Sequence, residues 1–322
     1  MSTPDVSVIV TIFNKEEYLA ECIESLVSQT LQNMEIVLVN DGSTDSSMQI
    51  IQDFAGRYGQ IRIVDQENRG LTGARIVGYQ TSVGKYVAWV DADDYVQPEM
   101  YEVLYDLAEE NQADLVYCDY SYYPHKVASK AKWFREYDGR RDWRFLDKNT
   151  AFWNKLFRRN LLERVRIVDL LNRYGEYSPI VPMLEAEKIC FTREQLYVYR
   201  VGHDSMSGGS FDGKVQHYVK GAVRSKDLKS MIAGKPYEKE LESYFDYRYI
   251  YTLILLVIVS ARNKDIDNYR FARSELKRVH YTKNEYLGRI VKEHYGPTKS
   301  LIMTRIMPLN YYLARCITRI AL

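Results

Sequence analysis

Cysteine is scarce in this 322-residue chain, which has four, Cys22, Cys118, Cys190 and Cys316. None forms a C-x-x-C pair, so the spacing suggests neither a zinc site nor a disulfide framework. Reduced thiols in a cytoplasmic setting are expected instead. Charge of one sign is missing too: 44 Lys and Arg face 43 Asp and Glu, a formal net charge of +1. That balance gives no support to a nucleic-acid partner. Long apolar runs are also lacking. The most apolar stretch, Tyr249 to Ala261, falls short of the ~20 residues that span a bilayer and stops at Arg262, so it predicts a buried core helix. At the N-terminus, Val6 to Val10 is too short a run for a secretory signal, which again predicts a cytoplasmic protein. No glycine-rich phosphate loop with a lysine opens the chain, which removes the main support for a nucleotidyltransferase-like reading.

What is present is alternation. Val6–Val10, Glu35–Val39, Ile61–Val64, Tyr86–Val90 and Asp114–Cys118 are short runs suited to buried strands. Between them lie helical patterns. Leu19, Cys22, Ile23, Leu26 and Val27 share one face, with Asn14 and Glu17 at capping-box spacing. Met48, Ile51, Phe54 and Ala55 form a second face, and residues 72–83 a third helix. Met100, Val103, Leu104 and Leu107 form a fourth, with Pro98 as its starting residue. This order predicts an α/β fold with a mostly parallel sheet flanked by helices. Residues 121–147 are aromatic and basic and carry little pattern. From residue 213 the chain reads as helical. The expected division is therefore 1–212 and 213–322.

Polar clusters fall where such a sheet gathers ligands, at the carboxyl ends of its strands. Phe13-Asn14 follows the first strand, Asp41-Gly42-Ser43 the second and Asp91-Ala92-Asp93-Asp94 the fourth. Clustered carboxylates repel one another, and hard oxygen ligands suit Mg²⁺ or Mn²⁺. A solvated acidic turn is the alternative. Asp41 could accept a hydrogen bond from a base N–H or cap a helix. Asn68-Arg69-Gly70 opens the next helix, which contains Arg75. An arginine here could serve a diphosphate or lie on ordinary surface.

The segments VSVIVTIFNKEEYLAECIESLVSQT, EIVLVNDGSTDSS, ENRGLTGAR and YVAWVDADDYVQPEM, in this order, resemble the family 2 inverting glycosyltransferases of GT-A fold. The resemblance is strong from Asp5 to Glu99 and weaker through Asn154–Arg158 and Leu196–Arg200. It implies a UDP-sugar donor bound by Thr11, Phe13, Asn14, Asp41, Arg69, Arg75, Asp91 and Ala92. It also implies Mn²⁺ or Mg²⁺ on Asp93, with His203 as a later ligand, and a carbohydrate or lipid-linked sugar acceptor. The implied setting is bacterial surface polysaccharide or glycoconjugate synthesis. Inverting transfer needs a carboxylate base. Many members of the family place Glu-Asp after a glycine. Here the stretch is Gly175-Glu176-Tyr177, which leaves Glu176 as the base, since tyrosine titrates near ~10. Tyr177 keeps open a second reading, a donor-binding or scaffolding subunit with impaired catalysis.

The last segment, Pro297 to Leu322, carries Lys299, Arg305, Arg315 and Arg319 among many apolar residues and has no acidic one. Pro308 divides it. Such a segment suits an anionic membrane surface, here the inner face of the cell membrane, or packing against its own protein or a second subunit of a homo-oligomer.

Overall fold

Val6–Ile12 (β1) is almost entirely β-branched, and every residue in it except Thr11 is buried. A strand buried on both faces belongs in the middle of a covered sheet. The computed structural model, which describes residues 3–124, 139, 145–146, 150–201 and 215–320, puts it there. β1 lies between β2 (Met34–Asp41) and β4 (Tyr86–Asp91), parallel to both, and β3 (Ile61–Gln66) continues the parallel set beyond β2. β7 (Lys155–Arg158) runs antiparallel between β4 and β6 (Leu115–Tyr123). β8 (Ile189–Arg200) lies parallel to β6, and the short β5 (Tyr95–Val96) closes the edge, giving the order β3-β2-β1-β4-β7-β6-β8-β5. The sheet is therefore mostly parallel in its first half and mixed in its second.

The crossovers are α1 (Glu16–Val27), α2 (Ser47–Ala55), α3 (Gly70–Thr81) and α4 (Met100–Asn111). Leu19, Cys22, Ile23 and Leu26 bury the predicted face of α1. α3 approaches the sheet closely at Gly78, where a Cβ would come within 2.3 Å of Ile9 Cγ2. Only a glycine lets the helix lie this deep, and that depth carries Arg75, one turn earlier, below the surface. After β7 come α5 (Arg159–Arg164), α6 (Ile167–Tyr174) and α7 (Ile180–Glu185), with a single 3-10 turn at Gly175–Tyr177.

Two local expectations are corrected. Asn14 does not cap α1. It sits outside the helix at φ +50°, and its Oδ1 accepts from Thr44 N at 2.8 Å while its own N donates to Ser43 Oγ at 3.1 Å. The neighbouring loop is tied back in the same way: Ser46 N donates to Glu16 Oε2, and Glu16 N to Asp45 Oδ2. The β1 and β2 loops thus satisfy each other's free amides across the sheet edge, which a local capping box cannot do. Pro98 also stands outside its helix. α4 begins at Met100, and the Pro98 carbonyl accepts from Thr30 N at 2.9 Å.

The described residues form two compact units, the strands and their helices up to residue 201 and a helical unit from 215 to 320. The expected boundary at 212/213 lies outside the described residues, as do 125–138, 140–144 and 147 of the pattern-poor stretch. In the second unit α8 (Val215–Met231), α9 (Glu238–Arg262), α10 (Ile266–Arg278), α11 (Glu285–Leu301) and α12 (Tyr311–Ile320) follow one another, with a π turn at Ile302–Ile306. α9 is long and apolar enough to cross a membrane by length and composition, yet 78% of its most apolar window is buried within the protein. It is the core helix that the Tyr249–Ala261 run predicts.

Candidate active site

Strand register builds the site. Thr11 pairs with Asp91 across β1–β4, Ile12 with Asn40 across β1–β2, and Asp41 with Gln66 across β2–β3. Three parallel strands therefore end level, and the loops carrying Phe13-Asn14, Asp41-Gly42 and Asp91–Asp94 rise from one edge. Thr11 is half-buried there, Phe13 is exposed, and Ala92 is buried beneath the acidic turn.

The three carboxylates of that turn do different work. Asp94 faces inward. Its Oδ2 accepts from the Tyr197 hydroxyl at 2.6 Å and its Oδ1 from Arg200 N at 2.7 Å. Burial pushes the Asp94 carboxyl well above the usual range. Asp91 faces sideways and accepts from Arg75 Nη2 at 3.2 Å. Burial raises its carboxyl to about 6, with the Arg75 charge opposing the rise and the Asp93 charge adding to it. Asp93 is partly buried, its side chain 15% exposed against 29% for Asp91, and Lys15 Nζ rests on its Oδ2 at 2.7 Å. Arg200 Nε donates to the Asp93 carbonyl at 2.9 Å, and its guanidinium lies over the rings of Tyr18 and Tyr123, each 5.1 Å away. The repulsion expected among these acids is thus relieved by cations of the chain itself.

Arg75 is the hub. It is only 2% exposed and stacks 4.8 Å from the Phe152 ring centre. Nη1 donates to Glu176 Oε1 at 2.5 Å while Nη2 holds Asp91. Burial opposes its charge, but Glu176 and Asp91 outweigh burial and hold its pKa above the ordinary value. Glu176 reaches Arg75 from the 3-10 turn after α6. That turn begins at Gly175, with φ +56° and ψ −123°, a conformation open to glycine and costly for other residues. Glu176 itself stays half exposed.

Asp41 is buried, and its Oδ1 accepts from Gln66 Nε2 at 2.7 Å and Arg69 N at 2.8 Å. It thereby fixes the start of α3 at the mouth of the site. The Arg69 side chain is exposed at that mouth. The structure therefore brings together Thr11, Asn14, Asp41, Arg75, Asp91, Ala92, Asp93 and Glu176, whereas His203 lies outside the described residues. Sequence reasoning missed Lys15, Phe152, Tyr197 and Arg200. Lys15 adjoins Asn14, and Tyr197 and Arg200 stand in the Leu196–Arg200 stretch, but nothing local assigns them an acidic partner.

Among the described residues no three His, Cys, Asp or Glu side chains are placed to share one ion. A divalent ion completed by donor phosphates and water needs only one or two protein carboxylates. Asp93, at the strand end with Lys15 Nζ on its Oδ2, offers one such carboxylate.

Comparison with known proteins identifies the family and the fold. Residues 7–166 match the family described as Glycosyl transferase family 2. The uncharacterized glycosyltransferase EpsJ of Bacillus subtilis is 37% identical over 220 residues, covering 63% of this chain and 63% of EpsJ. Less than two thirds of that relative is therefore matched. Glycosyltransferase GlyG of Streptococcus pneumoniae is 33% identical over 225 residues, covering 64% of this chain and 74% of GlyG. Among solved structures, S. aureus TarS 1-349 in complex with UDP-GlcNAc superposes with a TM-score of 0.57 at 20% identity, covering 85% of this chain and 91% of TarS 1-349. At that identity the likeness concerns the fold, which is GT-A-like.

Proposed function

We propose, from the premise that the chain belongs to glycosyl transferase family 2, that it moves a sugar from a UDP-sugar to an acceptor hydroxyl with inversion. The observation that carries this reading is the single buried guanidinium joining Glu176 to Asp91. One cation fixes a half-exposed carboxylate beside the strand-end acids where a donor would lie. The TarS structure holds UDP-GlcNAc in the same kind of fold, which supports a UDP-linked donor. Bacterial surface polysaccharide or glycoconjugate synthesis is the proposed setting, with a carbohydrate or lipid-linked sugar as acceptor.

In this reading Asp41 and the backbone around it receive the base of the donor, with Thr11, Phe13, Asn14 and Arg69 around it. Asp91 faces the ribose or sugar. Glu176 takes the proton from the acceptor hydroxyl as that oxygen attacks the anomeric carbon. The attack breaks the bond to the diphosphate, and UDP leaves. Arg75 acts through its partners, orienting Glu176 and Asp91. Asp93, with His203 as a further proposed ligand, would hold Mn²⁺ or Mg²⁺, which when bound supplies positive charge to the departing diphosphate.

Thermal melting with UDP, dTDP, GDP or CMP, each with Mn²⁺ or chelator, tests the donor site, because a ligand of the folded state raises the melting temperature. The expected result is a UDP shift that needs Mn²⁺ and vanishes in Asp93→Ala. No shift with any nucleotide would overturn the proposal. Glu176→Gln separates transfer from binding: UDP binding should persist while turnover of UDP-sugar falls by at least ~100-fold. Tyr177, standing where the family resemblance implies an aspartate, favours a second reading, a donor-binding or scaffolding subunit. UDP binding without turnover by the wild type would support it.

A further inference from the structure

The helical unit carries a surface that the transferase reading does not use. Among the described residues, Leu301 (55%), Leu309 (61%), Tyr312 (69%) and Leu313 (43%) are exposed large hydrophobics within one short segment. On α12, Tyr312, Leu313 and Cys316 fall on one exposed face by helical spacing, while Ala314 and Thr318 are buried on another. The helix thus has an inner stripe that packs and an outer stripe that does not.

This outer stripe is a built surface. The Tyr269 hydroxyl donates to the Met307 carbonyl at 2.9 Å, and Arg273 Nε to the Pro308 carbonyl at 3.0 Å. α10 therefore fastens the turn that presents Leu309. Asn310 then caps α12, its Oδ1 accepting from Tyr312 N at 2.8 Å and Leu313 N at 3.2 Å. Arg305 is exposed one helical turn from Leu301, Lys299 is exposed in the same segment, and the sequence from Pro297 to Leu322 adds Arg315 and Arg319 without one acidic residue.

Two occupants would cover apolar surface here. A second copy, meeting the same segment about a twofold axis, would bring cation against cation. An anionic lipid surface receives both features, since the apolar side chains enter the acyl boundary while the cations meet headgroup charge. We propose that the surface formed by Leu301, Arg305, Leu309, Tyr312 and Leu313 docks on an anionic lipid bilayer. This inference does not rest on the transferase reading, and its test needs no donor or acceptor.

The full chain is sedimented with vesicles of phosphatidylcholine alone or mixed with phosphatidylglycerol, at low and high salt. Binding is expected to the mixed vesicles only and to weaken with salt. Leu313→Ser should lower partitioning about tenfold. Arg305→Glu, which alters an exposed side chain and leaves the fold intact, should do the same. Val223→Ser, at an exposed hydrophobe on α8, should change nothing. Unchanged melting temperatures report that each variant folds. Absent binding, equal binding to neutral vesicles, or an equal loss in Val223→Ser would overturn the proposal. So would a dimer in analytical ultracentrifugation that Leu313→Ser dissociates while vesicle binding stays absent, which would assign the surface to a second copy.

Discussion

Arg75 carries a full charge on a side chain that is almost wholly buried, and two carboxylates make that tenable. Removing one member of a buried ionic arrangement leaves its partner uncompensated. Arg75→Met should therefore destabilise the protein by about 3 kcal/mol near neutral pH, somewhat discounted because Glu176 is half exposed. The loss should depend on pH in a definite direction. Asp91 already titrates near 6 in the folded protein, above its unfolded value, so its ionised form is the disfavoured one. Without Arg75 its pKa rises further. The penalty is then present at pH 8 and relieved as pH falls and the carboxyl protonates. Denaturant melts at pH 5 and pH 8 should show the larger loss at pH 8, and equal losses would contradict this account. Lys15 offers a second residue-scale test, because its ammonium occupies the Asp93 oxygen that a divalent ion would need. A partly exposed pair of this kind is worth about 1 kcal/mol at most, so Lys15→Ala should tighten Mn²⁺ binding, titrated without nucleotide, by about three- to fivefold. Unchanged Mn²⁺ affinity would mean that the two cations do not compete.

At the scale of elements, the 3-10 turn after α6 decides where Glu176 points. Its first residue, Gly175, holds a backbone conformation that costs other residues about 1–3 kcal/mol. Gly175→Ala should shift the turn and separate Glu176 from Arg75 while leaving the strand ends untouched. The expected kinetic signature is a fall in kcat of at least ~10-fold with UDP affinity unchanged. A parallel loss of UDP affinity would show that the turn supports the donor site as well. β8 plays a comparable part for the acidic turn. Tyr197 and Arg200 fill both oxygens of Asp94, so a strand from late in the chain sets the orientation of a motif read from its first third.

Across the whole molecule, legibility followed the range of the forces involved. The first four parallel strands, their helices and the buried core helix α9 were readable because hydrophobic period is a local property. So was the level alignment of Asp41 and Asp91 at strand ends, since parallel strands of similar length end together. The antiparallel β7, the edge strand β5 and the full length of β8 were not, because a short strand gains its identity from the neighbour it pairs with. Asn14 shows the same limit in reverse. A good local cap was released to Thr44 because the tertiary partner lay at the same sheet edge. The sequence by itself determined the α/β alternation, the family and the acids available for chemistry. Only the tertiary structure decided which acid faces inward, which is held by Arg75, and which meets Lys15. Those roles are set by burial and by cations distant along the chain, and neither is encoded in the spacing of the acids themselves.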